Sequence, residues 1–506
     1  MLWNHGYYAE SGYTYGFYPE TMPLRLHWAA LVQGHITPKQ CFRYLDAGCG
    51  QGLNLIIAAA SHPDSEFVGI DFLPEHIAHA RHLAQACGLT NVTFIEGDFI
   101  ELAANPAQLG EFDFAVCHGI STWVAPAVQT ALFQLIGKVL KPGGTFYNSY
   151  NTLPGWLGAI PFQHLILLEQ RSKSGAAAVK AAQASMAQLQ ENKAGLFAAQ
   201  PSLTARLQQT SKQNPNYLVQ EYNNQDWKPV FVTEMMDRMS AVKLNYLGSA
   251  TLADAFDSLL PTGIAKLLGD QQSPALREQM RDYATYQSFR RDLYVKGRRK
   301  PWQQQEKEAL GQLRVSINPQ TERPKKDGHY ETRTGGFASE GNFDTYSAVL
   351  DAVAGEPQGI TLGELQKRLG KQTEFKPLVM TTSLLVNGSW LFTNQTVEEQ
   401  GREVARTVNQ GLANAAAAGA PYQFAASPVT GGACGMSEID WALLSAHLKG
   451  LPKNEWPRYV SEQLGALNRT MMKEGKPVKD SDSLAKLLSK SVSNFQNKKL
   501  KVHFLG

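Results

Sequence analysis

Between residues 42 and 150 short apolar runs alternate with longer amphipathic ones. FRYLDAG, SEFVGIDF, NVTFIEGD, FDFAVCHG and GGTFYNSY are short, rich in β-branched and aromatic residues, and predict five strands. LNLIIAAASH, PEHIAHARHLAQACG and VQTALFQLIGKVLKPGG predict helices between them; the last two stop at Gly88 and at Pro142-Gly143-Gly144. Strand and helix alternating at this length predict a parallel sheet covered on both faces, whose ligands sit beyond the carboxyl ends of the strands. Farther on, VTEMMDRMSAVKLNYLGSA (232–250) predicts a helix and a strand, and SFRRDLYVKG (288–297) another strand.

The texture changes outside this region. Residues 157–230 are rich in Ala and Gln and predict a helical insertion, read either as a lid over the strand ends or as an appendage that only stabilises. Residues 301–343 turn polar and basic, as in an exposed connection. In 344–395, TYSAVLDAVAG, TLGELQKRLG, KPLVMTTSLLVNG and SWLFTN predict three short helices and a terminal β-strand pair, a winged-helix-like pattern. Reading a DNA groove needs a basic recognition helix, and KPLVMTTSLLVNG holds one lysine, so a protein-contact or packing role is expected and no nucleic-acid partner. Residues 396–506 are α-rich and end in a basic tail, KLLSKSVSNFQNKKLKVHFLG, expected to be a solvated surface.

Composition narrows the classes without choosing among them. The 506 residues are 43% hydrophobic and 18% charged with a formal net charge of +3, an ordinary globular balance too near neutral to imply nucleic acid or anionic membrane. No signal-peptide pattern opens the chain and no uninterrupted apolar run of spanning length follows, so a cytoplasmic protein without membrane segments is expected. The five cysteines (Cys41, Cys49, Cys87, Cys117, Cys434) are odd in number and lack CxxC spacing or nearby histidine clusters; buried free thiols are expected, with no disulfide framework and no metal site.

The candidate chemistry begins after the first strand. Asp46-Ala47-Gly48-Cys49-Gly50-Gln51-Gly52 is a DxGxGxG turn, whose glycines permit positive φ and close approach of a ligand. A dinucleotide fingerprint would place a glycine at position 53, where this chain has Leu53. Asp46 would repel a pyrophosphate and suits a ligand ammonium. Asp71 closes the second strand 19 positions after Gly52, where a carboxylate can accept both ribose hydroxyls. Asp98 closes the third strand in EGDF and can accept from an adenine amino group while Phe72 or Phe99 packs on the ring. Amino acid head, ribose and adenine together are the parts of S-adenosyl-L-methionine.

With Asp71, EGDF and the KPGG turn in this order, residues 42–150 resemble a class I S-adenosylmethionine-dependent methyltransferase; a ligand-free flavodoxin-like sheet is the alternative. The flanks sharpen the resemblance. YGFYPETMPLRL before the first strand, CHGISTWVAP after the fourth, YNTLPGW after the fifth, and then YLVQEYNNQDWKPVF and SFRRDLYVKG are similar to bacterial methyltransferases with a methyltransferase regulatory domain, among them the rickettsial-type protein lysine methyltransferases. The resemblance implies an α/β, Rossmann-like class I sheet with a helical insertion, followed by a winged-helix-like and an α-rich C-terminal region. It also implies an N-terminal covering segment (1–40), a core (41–156), completion of the sheet in 231–300, and a protein substrate such as a cell-surface protein before its export. Gln220 stands where relatives often have a histidine before the EY pair, which puts lysine as the acceptor in question.

Because the sulfonium is already activated, the protein has mainly to align a nucleophile and exclude water. The positions expected to face the methyl group are Tyr18, His118, Trp123, Tyr150 and Asn151, with Glu221 and Tyr222 joining from the insertion. Bland readings stand beside them: a strand-end histidine bonded to backbone, a tryptophan packing its loop, an aromatic cluster in GYTYGFYPE. No (D/N)PPY follows strand four, which argues against the amide and nucleobase N-methyltransferases that use it. Protein lysine methylation, methylation of a small molecule or saccharide, and cofactor binding without catalysis remain the three functional readings.

Overall fold

The computed structural model describes residues 15–210, 218–219, 222, 224–325, 328–356, 358–370, 372–473, 476–478 and 480–504. Seven strands form one sheet: β1 (Arg43–Ala47), β2 (Glu66–Asp71), β3 (Val92–Glu96), β4 (Phe112–Cys117), β5 (Leu140–Asn151), β6 (Leu244–Ser249) and β7 (Phe289–Lys296), in the order β3-β2-β1-β4-β5-β7-β6. The first five run parallel, whereas β7 is antiparallel to both β5 and β6. All seven lie where the hydrophobic pattern predicts strands. The order reverses between β1 and β4, which opens a crevice at their carboxyl ends.

Helices α1 (Pro23–Val32), α2 (Leu53–Ser61) and α3 (Pro74–Ala86) cover one face, which carries Tyr44, Phe67 and Tyr147. Helices α4 (Phe99–Ala104), α5 (Pro126–Val139) and the helix Val232–Ala241 cover the other, which carries Phe146, Tyr150 and Tyr294. Every residue of α2 is buried. A helix apolar all round needs cover all round, and α2 has it: the sheet on one side, and on the other the hairpin β13 (Phe424–Ser427) and β14 (Gly432–Gly435) with the helix Glu399–Ala417. That helix comes close enough to α3 that a Cβ on Gly411 would lie 2.8 Å from the carbonyl of Ala86.

The insertion folds as helices α6 (Ile160–Glu169), α7 (Gly175–Glu191), α8 (Gly195–Ala199) and α9 (Pro201–Thr210) around a core of Trp156, Phe162, Val179, Leu203 and Trp227. Three expectations need correction. Residues 301–343 are more than an exposed connection: they hold the helix Gln303–Gly311, β8 (Arg314–Ile317), and the hairpin β9 (Tyr330–Thr334) and β10 (Phe337–Gly341). β8 is the centre of the small sheet β11-β8-β12, between Ile360–Thr361 and Leu391–Asn394, so the winged-helix-like unit takes its middle strand from upstream; Val315 and Tyr330 are fully buried although their neighbours are polar. The helix Phe375–Asn387 packs on α1, with Ser383 Oγ accepting from Trp28 Nε1 at 2.9 Å. Finally, the basic tail is not wholly solvated: His503 is buried and its Nδ1 lies 2.8 Å from Ser427 Oγ. Four cysteines are buried as expected, and Cys41 is exposed.

Candidate active site

The turn after β1 is held by its own backbone before any side chain contributes. The amides of Gly48 and Cys49 both donate to the Ile70 carbonyl, at 2.8 and 3.0 Å. Gly48 has φ +90°, and a Cβ there would lie 2.6 Å from Ile120 Cγ1. Gly50 has φ +54° and open space where a Cβ would stand, as a turn that receives a ligand requires.

Asp71 is committed to that turn. Its Oδ2 accepts from the Gly50 amide at 2.9 Å, its Oδ1 accepts from Leu73 N at 3.0 Å, and His76 Nδ1 stands 3.3 Å from Oδ1. Oδ1 already faces two partners and Oδ2 one, so the group is oriented and still able to accept through Oδ2. Asp98 caps α4, its Oδ1 accepting from Ile100 N at 2.6 Å. Both acids line a cleft of about 630 Å³ with Phe72, Phe99, Ile120 and Val124.

Asp46 lies deeper. Burial first, and then the charge of Asp71, push its carboxyl up to about 7, while a hydrogen bond with Asn54 opposes the shift. A buried carboxylate in this condition is stabilised by a cation, and a ligand ammonium is one. The donor and acceptor set therefore fits S-adenosylmethionine: Asp46 and the glycine turn for the amino acid head, Asp71 for the ribose, Asp98 with the apolar walls for the adenine.

At the other end of the crevice His118 follows β4. Its ring stacks on Tyr18 with centroids 3.9 Å apart. Its Nδ1 lies 2.9 Å from Tyr147 Oη and 3.2 Å from Ser149 Oγ, and Ser149 Oγ accepts from Gly119 N at 2.9 Å. Burial, helped by the positive charge of Arg291, lowers His118 to about 3, so the imidazole is neutral. Asn54 ties this end to the cofactor end: its Oδ1 accepts from Tyr18 N at 3.0 Å and its Nδ2 donates to Thr21 Oγ1 at 3.1 Å.

Strand parity sorts the expected residues. Tyr147 and Ser149 reach His118, and Asn151 shares their face; its Nδ2 is buried with no hydrogen-bond partner among the described residues. Tyr150 projects from the opposite face and donates to Asp292 Oδ2 at 2.6 Å, so the expectation that it faces the methyl group is corrected: in an extended strand neighbours point to opposite sides. Trp123 packs toward Trp227, centroids 6.3 Å apart, and its carbonyl accepts from Asn224 Nδ2, which joins the β4 loop to the insertion. Tyr222 is buried between Trp156 and Phe162 inside the insertion core, away from the cleft lining. Glu221, with Gln220, lies outside the described residues.

Sequence reasoning missed Ile120, Val124, His76, Asn54, Tyr147 and Ser149. Alternation along β5 was the available signal for Tyr147 and Ser149; nothing in the sequence brings Asn54 to Tyr18. Among the described residues no group of His, Cys, Asp or Glu could hold a metal ion, and no helix is long and apolar enough to cross a membrane.

Comparison with known proteins agrees with this architecture. Residues 39–233 match the family model of a methyltransferase domain, and residues 214–296 match that of a predicted methyltransferase regulatory domain. The Synechocystis protein sll1526 is 31% identical over 99% of this chain and 98% of its own length. The Rickettsia prowazekii protein RP789 is 23% identical over 81% of this chain and 73% of its own. Among solved structures, PKMT2 from Rickettsia typhi in complex with AdoHcy is similar at a TM-score of 0.70 and 20% identity, over 98% of this chain and 99% of that one.

Proposed function

Because the chain belongs to the class I S-adenosylmethionine-dependent methyltransferases that carry a methyltransferase regulatory domain, we propose that it transfers the methyl group to the side-chain nitrogen of lysine in a protein substrate. When bound, S-adenosylmethionine supplies a methyl group already activated for displacement, so no nucleophile on the protein is required. The acceptor nitrogen forms the new N–C bond as the C–S bond breaks, and one proton must leave the nitrogen.

At pH 7 only roughly four lysines in ten thousand are neutral by their reference pKa, so the acceptor end has to favour the uncharged amine. The carrying observation is that this end is walled mainly by uncharged groups, the buried Tyr147, Ser149 and Asn151 with the half-buried Tyr18 and His118, beside the charge of Arg291. The burial and Arg291 charge that hold His118 at about 3 act in the same direction on an ammonium placed beside it. His118 is then too weak a base to take the proton. Its part is to present a flat neutral face with Tyr18 and to hold Tyr147, while Ser149 and Asn151 offer polar contacts to the amine and the released proton leaves through water. Gln220 does not argue against this reading, because the proton path needs no imidazole at that position. The name of the R. typhi neighbour, PKMT2, and the likeness of the whole chain to it support the same acceptor.

The test is transfer of labelled methyl from S-adenosylmethionine into fractionated lysate, including a cell-envelope extract, followed by hydrolysis of labelled protein. Methyllysine in the hydrolysate is expected. Label confined to a low-molecular-weight or glycan fraction would replace this reading with methylation of a small molecule or a saccharide; no label despite cofactor binding would make the chain a cofactor-binding regulator.

A further inference from the structure

His79, half-buried on α3, is not among the residues that line the cleft, yet it touches the cofactor turn. Its Nδ1 lies 2.9 Å from the backbone oxygen of Gln51, the residue between Gly50 and Gly52, and its Nε2 lies 2.9 Å from the hydroxyl of Tyr422. A carbonyl only accepts, so Nδ1 carries the proton. A neutral imidazole then offers Nε2 as an acceptor, and Tyr422 must donate. The direction of both bonds follows without a choice of tautomer.

Tyr422 is well placed for that work. It is buried, its backbone oxygen accepts from Trp441 Nε1 at 2.7 Å, and Tyr15 meets it edge-on at 5.1 Å while lying 5.2 Å from His79. Three regions of the chain converge here: the N-terminal segment, α3 and the C-terminal region. In a trans peptide the carbonyl and the following amide point opposite ways, so anchoring Gln51 O toward α3 aims the Gly52 amide back into the turn, where it donates to Cys49 O at 3.2 Å.

We propose that Tyr422 is a positioning residue for the cofactor turn: through His79 it holds the Gln51 peptide, and so the C-terminal region sets the affinity for S-adenosylmethionine. This rests on the cleft being the S-adenosylmethionine site, and binding by the unaltered chain checks that first; no binding there overturns both statements.

With binding established, calorimetry with S-adenosylmethionine on the full-length protein compares three variants. Tyr422→Phe keeps the ring and the Trp441 bond and removes only the donor; its dissociation constant should rise roughly threefold to tenfold, the range for losing one buried hydrogen bond. In ligand-free protein the same variant should speed hydrogen exchange of the Gly52 amide. Tyr459→Phe removes a hydroxyl from the same region, one paired with Ser445 Oγ, and should leave the dissociation constant unchanged. In a His79→Ala background, adding Tyr422→Phe should change nothing further. The proposal is overturned if Tyr422→Phe binds as the unaltered chain does, if Tyr459→Phe weakens binding equally, or if the two substitutions add. Should His79→Ala fail to fold, the two tyrosine variants decide alone.

Discussion

The two ends of the crevice are built on opposite principles. At the cofactor end the groups are carboxylates: Asp71 closes β2 and is bonded to two backbone amides, and Asp98, two residues beyond β3, caps α4. At the end proposed for the acceptor they are a neutral histidine, two tyrosines, a serine and an asparagine, assembled from the N-terminal segment, the β4 loop and alternate residues of β5. Charge fixed by backbone recognises a charged, polar ligand. Burial and a nearby positive charge, which keep His118 neutral, would act in the same direction on an ammonium beside it.

If that division is right, substitutions at the two ends move different quantities. The largest effect is expected for Asp71→Ala, which frees the Gly50 and Leu73 amides and removes the ribose acceptor. Loss of charge-assisted hydrogen bonds of this kind should weaken S-adenosylmethionine binding by about two orders of magnitude or more, measured by calorimetry. Asp71→Asn keeps one acceptor oxygen and should fall between.

At the acceptor end the split should reverse. His118→Ala removes the partner of Tyr18 and Tyr147, and is expected to lower the turnover number roughly tenfold to a hundredfold while the dissociation constant for S-adenosylmethionine stays within about twofold. Single-turnover kinetics at saturating cofactor read this. Equal losses in binding and turnover would mean that the two ends are one unit.

Asp46 sits on the boundary and gives a pH signature. Its folded value of about 7 is above the ordinary one, so its contribution to stability is full below the unfolded value near 4 and is lost as pH rises toward 7. A ligand ammonium reverses the preference, because it favours the carboxylate. S-adenosylmethionine affinity should therefore fall by up to tenfold per pH unit below about 7 and flatten above it. Asp46→Asn should erase the slope and raise the melting temperature of the ligand-free protein at pH 8. A slope that survives this substitution belongs to another group.

The cofactor end was legible because its residues are sequence-local. A glycine turn and acids at strand ends sit at positions that hydrophobic periodicity marks, and alternation of strand and helix predicts the parallel sheet that carries them. The acceptor end was only partly legible. Tyr18 and His118 stand on separate segments, and their stacking depends on Asn54 reaching from α2 to the Tyr18 amide, a contact 36 positions apart that no local pattern encodes. β8 was missed for a related reason: four residues in a polar stretch become a strand because β11 and β12 pair on both sides of it. The fold's outer regions thus owe more to distant partners than the nucleotide-binding half does.

Tyr150 gives the smallest expected effect on chemistry and the sharpest check on strand parity. Adjacent to Ser149 and Asn151, it nevertheless donates to Asp292, which also pairs with Arg290 Nε at 3.0 Å beside Glu278 and Asp282. Burial raises the Asp292 carboxyl and the Arg290 charge opposes this, so the phenol is one of the groups that keep a buried carboxylate satisfied. Tyr150→Phe should cost about 1 to 2 kcal/mol of stability, seen as a melting temperature lower by a few degrees, with methyl transfer at 25 °C unchanged. A variant that melts normally but has lost turnover would put Tyr150 in the acceptor pocket, and the assignment of Tyr147, Ser149 and Asn151 to that pocket would fall with it, because the two sets occupy opposite faces of one strand.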